Sequence, residues 1–156
     1  MSRSGSSKTR LDENEKWFSV SLFIMGDGID PAALEGMLGL PPDTVGIKGQ
    51  ARAGKNGRTY SPYETNAWTH RVAASSELGF DEQIQLLFHR PGDRKALLRD
   101  LCLEDGVDAG LFCGFGSGNG QGGDTIHPNT LRLLAGTGLS IRLDLYPPDA
   151  DGQEET

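Results

Sequence analysis

The stretch WFSVSLFIMGDGIDPAALEGMLG, residues 17–39, has the pattern of a β-strand followed at once by an α-helix. Its first part, Trp17–Met25, alternates between apolar and other side chains with period two, which is typical of a strand with one face in a core. The side chains on the predicted core face are Phe18, Val20, Leu22 and Ile24.

The helix in this stretch is predicted from the residues that begin and end it. Asp30 is placed to cap the first turn, and Pro31 follows at the first helical position, where a missing N–H costs nothing. Gly39 is expected to end the helix. The predicted apolar stripe consists of Leu34, Met37 and Leu38.

A second strand–loop–helix pattern occurs near the other end of the chain. The segment GDTIHPNTLRLLAG, residues 123–136, is identical to GDGIDPAALEGMLG, residues 26–39, at six of fourteen positions. Two explanations remain open: an internal duplication, and independent use of the same helix-start chemistry, a polar cap followed by proline. In both cases the match predicts that the two helices begin in the same way.

The remaining segments continue an alternation of strands and helices. A short extended segment is predicted in PPDTVGIKG, and further strands in NAWTHRVAA, VDAGLFCGF and LSIRLDLY. Two helices are predicted between NAWTHRVAA and VDAGLFCGF. Their apolar stripes are Phe80, Ile84, Leu87 and Phe88 in the first helix and Leu97, Leu98 and Leu101 in the second. The last strand is predicted to point Leu139, Ile141, Leu143 and Leu145 inward.

This pattern predicts a single α+β domain over residues 16–148, flanked by disordered polar tails at residues 1–15 and 149–156. We expect a mixed or antiparallel sheet of about five strands with the helices mainly on one face. The two strand–loop–helix repeats are compatible with a ferredoxin-like arrangement. A doubly wound parallel sheet is the alternative.

Composition narrows the classes of function. The net charge of −7 argues against a general nucleic-acid binder or a binder of anionic membranes. No apolar run approaches the length of a membrane span, and the first residues lack the apolar core of a secretory signal, so a cytoplasmic protein is expected. Cys102 and Cys113 lie in apolar surroundings without metal-binding spacing and are predicted to be free thiols.

The segment GFGSGNGQGGDTIHP, residues 114–128, contains glycines at the spacing of a dinucleotide-binding loop: Gly118, Gly120 and Gly123. The predicted helix starts too far beyond them, near Pro128, to point its N-terminus at a pyrophosphate. We therefore predict a flexible connection and no nucleotide, and no other cofactor is indicated. Scattered histidines and helix-capping aspartates predict no metal site either.

Three groups of side chains are candidates for binding, each with a plain structural alternative. The strongest is a basic, glycine-rich segment, residues 46–60, that contains no acid and is suited to an acidic protein surface or a phosphate backbone: Lys48, Arg52, Lys55 and Arg58. The others are Trp68 with His70 in a predicted strand, and Arg142 with Asp144 on the outer face of the last strand. The alternatives are a solvated loop, a structural or surface histidine, and a solvated or helix-covered sheet face.

Several quoted segments together resemble a bacterial family known as domain of unknown function 4279. They are GDGIDP after a strand, LGLPPDTVGIKG, a lone tryptophan in AWTHRV, the helix pair LLFHRPGDRKALLRDL and the closing LRLLAGTGLSIRLDLY. The resemblance spans about residues 17–146 and implies the same single-domain fold. It supplies no active site to carry over.

Three functions follow as hypotheses. The first is a protein-binding module, immunity-like or regulatory, because no catalytic constellation is visible and small bacterial proteins of this kind often bind other proteins. The second is a small-molecule-binding domain with a pocket near Trp68 and the glycine-rich loop. An enzyme of unknown class is the third, and neither nucleic acid nor membrane is expected as a partner.

Overall fold

The strands and helices occur in the predicted order, with one small hairpin in addition. The computed structural model describes residues 15–54, 57–73, 76–89 and 93–148. The helices are α1 (Pro31–Leu38), α2 (Phe80–His89), α3 (Arg94–Leu103) and α4 (Pro128–Thr137). The strands are β1 (Lys16–Gly26), β2 (Thr44–Gly46), β3 (Arg52–Ala53), β4 (Thr59–Tyr60), β5 (Asn66–Arg71), β6 (Asp108–Ser117) and β7 (Ser140–Tyr146).

Five strands form one mixed sheet in the order β2-β5-β1-β6-β7, and β3 pairs with β4 in the separate hairpin. β1 runs antiparallel to both β5 and β6, β2 runs antiparallel to β5, and β6 runs parallel to β7. The succession β1-α1-β2-β5-α2-α3-β6 therefore has ferredoxin-like topology, which α4 and β7 extend by one strand. This confirms the α+β domain. The doubly wound alternative is wrong, because β6 and β7 are the one parallel neighbouring pair of this sheet.

Both predicted strand–loop–helix units are present, as β1 with α1 and as β6 with α4. They do not coincide with the two ferredoxin-like halves, which are β1-α1-β2 and β5-α2-α3-β6. Both helices begin with a proline at the first position, as predicted, but their caps differ: the Asp30 carboxylate accepts a hydrogen bond from the Ala32 N–H, whereas the His127 side chain forms no cap bond to the first turn of α4. Gly39 ends α1 and Gly138 ends α4, both with left-handed backbone.

The helices cover one face of the sheet and enclose the core. Val20, Leu22 and Ile24 of β1 are fully buried, as predicted, and the stripe of α2 packs among the buried side chains with them. Met37 is a correction, because it is 49% exposed. The buried residues of α1 at positions 34 and 38 lie four apart on one face, and Met37 falls beside that face.

The start of β1 depends on a buried glutamine from α2. Gln83 is fully buried, and its Oε1 accepts a hydrogen bond from the Val20 N–H at 3.1 Å. Its Nε2 donates to the carbonyls of Phe18 at 3.0 Å and Leu78 at 2.7 Å. The pairing of β1 with β5 ends at Ser21, opposite Arg71. The Gln83 side chain therefore forms hydrogen bonds with the part of β1 that lies beyond this pairing.

The exposure of β7 is the main correction to the predicted core. Leu139 is buried, but Leu143 is 63% exposed and Leu145 is 67% exposed. Both lie on the helix-covered face, because they pair with Cys113 and Phe115 of β6. β7 is the outermost strand, however, and the helix layer does not extend over these two side chains.

Other sequence predictions concern the compartment and the chain ends. Cys102 and Cys113 are free thiols, as predicted. Among the described helices, none combines the length and the apolar character that a membrane crossing requires. The predicted tails lie outside the described residues, apart from Glu15.

Candidate functional site

The face of the sheet opposite the helices collects aromatic and charged side chains from three neighbouring strands. Residues that pair directly across strands share a face, so the strand register assigns these side chains to the face away from the core. We call the following set the open-face patch: Trp17 of β1, Phe112 of β6, and Arg142, Asp144 and Tyr146 of β7.

Glycines of β6 make room for the aromatic rings. A Cβ atom on Gly116 would lie 2.1 Å from Trp17 Nε1, and one on Gly110 would lie 2.9 Å from Phe23 Cζ. Any side chain at these positions would therefore displace a ring. The first two glycines of the predicted flexible connection thus belong to β6, and the connection itself begins only after Ser117.

The aromatic side chains are packed in pairs but remain partly accessible. The rings of Trp17 and Tyr146 have centroids 5.1 Å apart, and those of Phe23 and Phe112 are 4.4 Å apart. Phe23 is fully buried beneath this layer, whereas Phe112 is 36% and Tyr146 is 51% exposed. The sequence analysis missed Trp17 and Phe112, although Trp17 lies on the face of the first strand opposite its predicted core face.

Arg142 is held in place by rings and by a carboxylate. Its guanidinium lies 4.4 Å from the centroid of Phe23 and 5.5 Å from that of Phe112, and it forms an ion pair with Asp108. Both partners of the ion pair are about half exposed, so its net contribution to stability is small. Its effect is to orient the guanidinium across the sheet.

Asp144 and Tyr146 form the second polar pair of the open-face patch. The Tyr146 hydroxyl donates to Asp144 Oδ2 at 2.7 Å. This hydrogen bond and the nearby negative charge raise the pKa of Tyr146. The tyrosine is therefore a donor at neutral pH, and the carboxylate keeps free lone pairs for a further donor.

The predicted basic segment lies at the opposite edge of the sheet. Lys48 forms an exposed ion pair with Asp27, with 3.0 Å between Nζ and Oδ2. Arg58 is exposed and lies between Gly57 and the first residue of β4. Lys55 lies outside the described residues.

Arg52 connects this segment to the open face. Its guanidinium lies 4.9 Å from the centroid of the Tyr63 ring. That ring covers Gly46, where a Cβ would lie 2.3 Å from Tyr63 Cε1, and Gly46 points to the open face. Arg52 therefore lies on the same face as the open-face patch but near the β2 edge, which is two strand spacings (about 10 Å) from β1 and four (about 19 Å) from β7.

Trp68 and His70 lie on the other face, within the core. Trp68 is fully buried, and among the described residues its indole Nε1 has no hydrogen-bond partner. His70 is 5% exposed, and its Nδ1 lies 2.6 Å from the carbonyl oxygen of Pro41. The structural interpretation of this histidine therefore fits its surroundings, and neither side chain offers surface to a ligand.

The glycine-rich loop does not lie near Trp68. Trp68 pairs with Ile24, whereas Ser117, after which the loop begins, pairs with Lys16. These two places are eight residues apart along β1, which is about 26 Å. The pocket hypothesised between them is not formed by these two features.

A groove between α3 and α4 was not predicted. It has a volume of about 510 Å³ and is lined by Lys95, Arg99 and Arg132, with Asp93 as the one lining acid. Within the described residues these three cations form no ion pair, and Arg132 donates to the neutral side chain of Asn129. The signal in the sequence was a lysine and an arginine four residues apart on one helix.

Comparison with known proteins adds a family. A family model described as domain of unknown function (DUF4279) matches residues 15–148, which is most of the chain. No curated protein and no solved structure matches the chain.

Proposed function

The chain belongs to the DUF4279 family, whose description assigns no activity, and we propose that it is a protein-binding module. The binding surface is the open-face patch. The observation that carries the proposal is the composition of this patch: a tryptophan, a tyrosine and an arginine lie together, partly exposed, on a sheet face without a helix cover. These three residue types are the ones most enriched at the energetic centres of protein interfaces.

Order within the patch favours tight binding. Trp17 and Tyr146 contact each other, and Arg142 is fixed by the rings beneath it and by Asp108. Side chains that are already ordered lose little conformational entropy when a partner binds. All of them project from strands, which hold them more rigidly than a loop would.

The charges define what the partner should present. Apolar side chains would cover the exposed edges of Phe112 and Tyr146, and a donor would meet the free lone pairs of Asp144. Arg52 gives the opposite edge of the face a positive charge in an otherwise acidic chain. An acidic segment beside an apolar surface fits this arrangement, and immunity-like or regulatory binding is the corresponding role.

Site-specific photocrosslinking tests the surface directly. A photoreactive phenylalanine analogue at Phe112 should give a discrete covalent adduct with a cellular protein. The same analogue at Leu103, which is 73% exposed on α3, serves as the matched control. Equal adducts at both positions, or none at Phe112, would contradict binding at the open face.

The captured protein, once purified, allows a quantitative test. Tyr146→Ser should weaken its binding about 30-fold, which corresponds to the loss of ~2 kcal/mol typical of a central interface residue. Arg52→Glu should reduce mainly the association rate and its salt dependence. Binding that survives Tyr146→Ser but is abolished when Lys48, Arg52, Lys55 and Arg58 are all changed to Glu would move the site to the basic segment.

Small-molecule binding is a second candidate, now at the groove between α3 and α4. The observation in its favour is the group of three cations around a concave surface, which form no ion pair with any residue that the structure describes. A carboxylated or phosphorylated metabolite is the matching ligand class. Thermal shifts in a library of such anions test it: a stabilising compound should lose its effect in Arg99→Ala, whereas Arg58→Ala, which changes an exposed arginine elsewhere, should leave the effect intact.

A further inference from the structure

The outer edge of β7 is unpaired in the part of the chain that the structure describes. β7 is the last strand of the sheet, and in the described part of the chain it pairs with β6 alone. Of its seven residues, Ile141 is half-buried and the other six are exposed, on both faces. An exposed edge with large apolar side chains is a template for pairing with another strand.

We propose that two copies of the chain pair antiparallel through β7, with a two-fold axis at Leu143. The evidence is the self-complementarity of the strand SIRLDLY. In this register oppositely charged residues face each other on the open face and apolar residues face each other on the helix face. The pairs are Leu143 with Leu143, Arg142 with Asp144, Ile141 with Leu145, and Ser140 with Tyr146.

Other registers are less favourable. A two-fold axis normal to the sheet keeps both open faces on one side of the joined sheet. Residues that face each other across the axis must then share a face, so one residue at the centre lies opposite its own copy. An axis at Arg142 would place two arginines opposite each other, and an axis at Asp144 would do the same with two carboxylates. An axis further toward the C-terminus would bring Pro147, which has no N–H, into the ladder.

Charge also favours this strand as the contact between two acidic chains. The net charge is −7 for the whole chain, but β7 contains one arginine and one aspartate and is neutral. The intramolecular contacts can persist in the dimer, because a guanidinium has five donors and a carboxylate about four acceptor sites. Pairing would join the two sheets into one of ten strands and cover Leu143 and Leu145 of both copies.

Charge reversal combined with mixing tests the register. The wild-type chain should sediment as a concentration-dependent dimer. Arg142→Asp and Asp144→Arg should each weaken self-association about tenfold or more, because both symmetry-related pairs become repulsive. An equimolar mixture of the two variants should recover the dimer, since every charged pair is again complementary. A wild-type chain that stays monomeric over the full concentration range, or a mixture that fails to associate, overturns the proposal.

Disulfide trapping provides an independent geometric test. In a background without native thiols, Cys102→Ser with Cys113→Ala, Leu143→Cys should form an intermolecular disulfide on mild oxidation, because the two copies of position 143 meet at the axis within disulfide reach. Cys113 is removed because it pairs with position 143 of its own chain. Leu145→Cys is the control, since it lies opposite Ile141 and far from its own copy. Preferential trapping at position 145 would refute the register, and thermal melts of each variant show that the fold is retained. These experiments need only the purified chain, so they are independent of the protein-binding function proposed above.

Discussion

Gln83→Leu removes the hydrogen bonds that α2 supplies to β1 while keeping a side chain of similar size. In the native structure Gln83 accepts a hydrogen bond from the Val20 N–H and donates to the Phe18 and Leu78 carbonyls. The Gln83 side chain is fully buried, so it makes these bonds without access to water. Leucine cannot replace any of these bonds. The substitution therefore separates the polar role of this residue from its role in packing.

The expected loss follows from the groups left without partners. A buried N–H without an acceptor costs about 1–3 kcal/mol, and the Phe18 and Leu78 carbonyls lose a donor in addition. The extra apolar burial of leucine offsets part of this, so we expect the free energy of unfolding to fall by ~2 kcal/mol. For a domain of this size the Tm should fall by ~6–10 °C.

Urea and thermal unfolding, monitored by circular dichroism, measure this loss. Glu82→Leu, at the preceding and exposed position of α2, is the matched control and should change the free energy of unfolding by less than about 1 kcal/mol. A Gln83→Leu protein as stable as the control would show that the backbone of β1 is satisfied in another way. That result would refute the role assigned to this side chain.

Three further predictions follow from burial and close contacts. Leu143→Asp should leave a cooperatively folded monomer. Leu111→Asp, at a fully buried position of the neighbouring strand β6, should abolish the unfolding transition. Burial raises the pKa of the Cys113 thiol to about 11, so at pH 8 iodoacetamide should label Cys102 well before Cys113, and equal labelling rates would contradict this burial. The stability that the neutral Cys113 thiol contributes should also be lost as the pH rises toward 11. Gly116→Ala should shift the tryptophan fluorescence of the open-face patch, because the new methyl group would overlap the indole, and an unchanged spectrum would mean that the ring is not held there.

Local patterns in the sequence were sufficient for most elements. The alternation of β1, the Asp30 cap and the stripe of α2 depend on residues close together in the chain, and each was found where predicted. The outer-face position of Arg142 and Asp144 was likewise predicted from the alternation of the last strand. The open-face patch around them was not predicted, because it depends on the strand register. This register places Trp17 and Tyr146 on opposite sides of Gly116, where their rings meet.

Periodicity and capping act within a few residues, so sequence patterns were sufficient for the strands of the main sheet, for the Asp30 start of α1 and for the family resemblance. Which strand forms the edge depends on strand pairing in the folded chain, and this explains why Leu143 is exposed although it follows a core pattern. The tertiary structure also places the polar Gln83 inside, because two of its three hydrogen-bond partners, Val20 and Phe18, lie in β1, more than sixty residues away. Burial depends on neighbours that pairing brings from distant parts of the chain, and a local pattern contains no record of them.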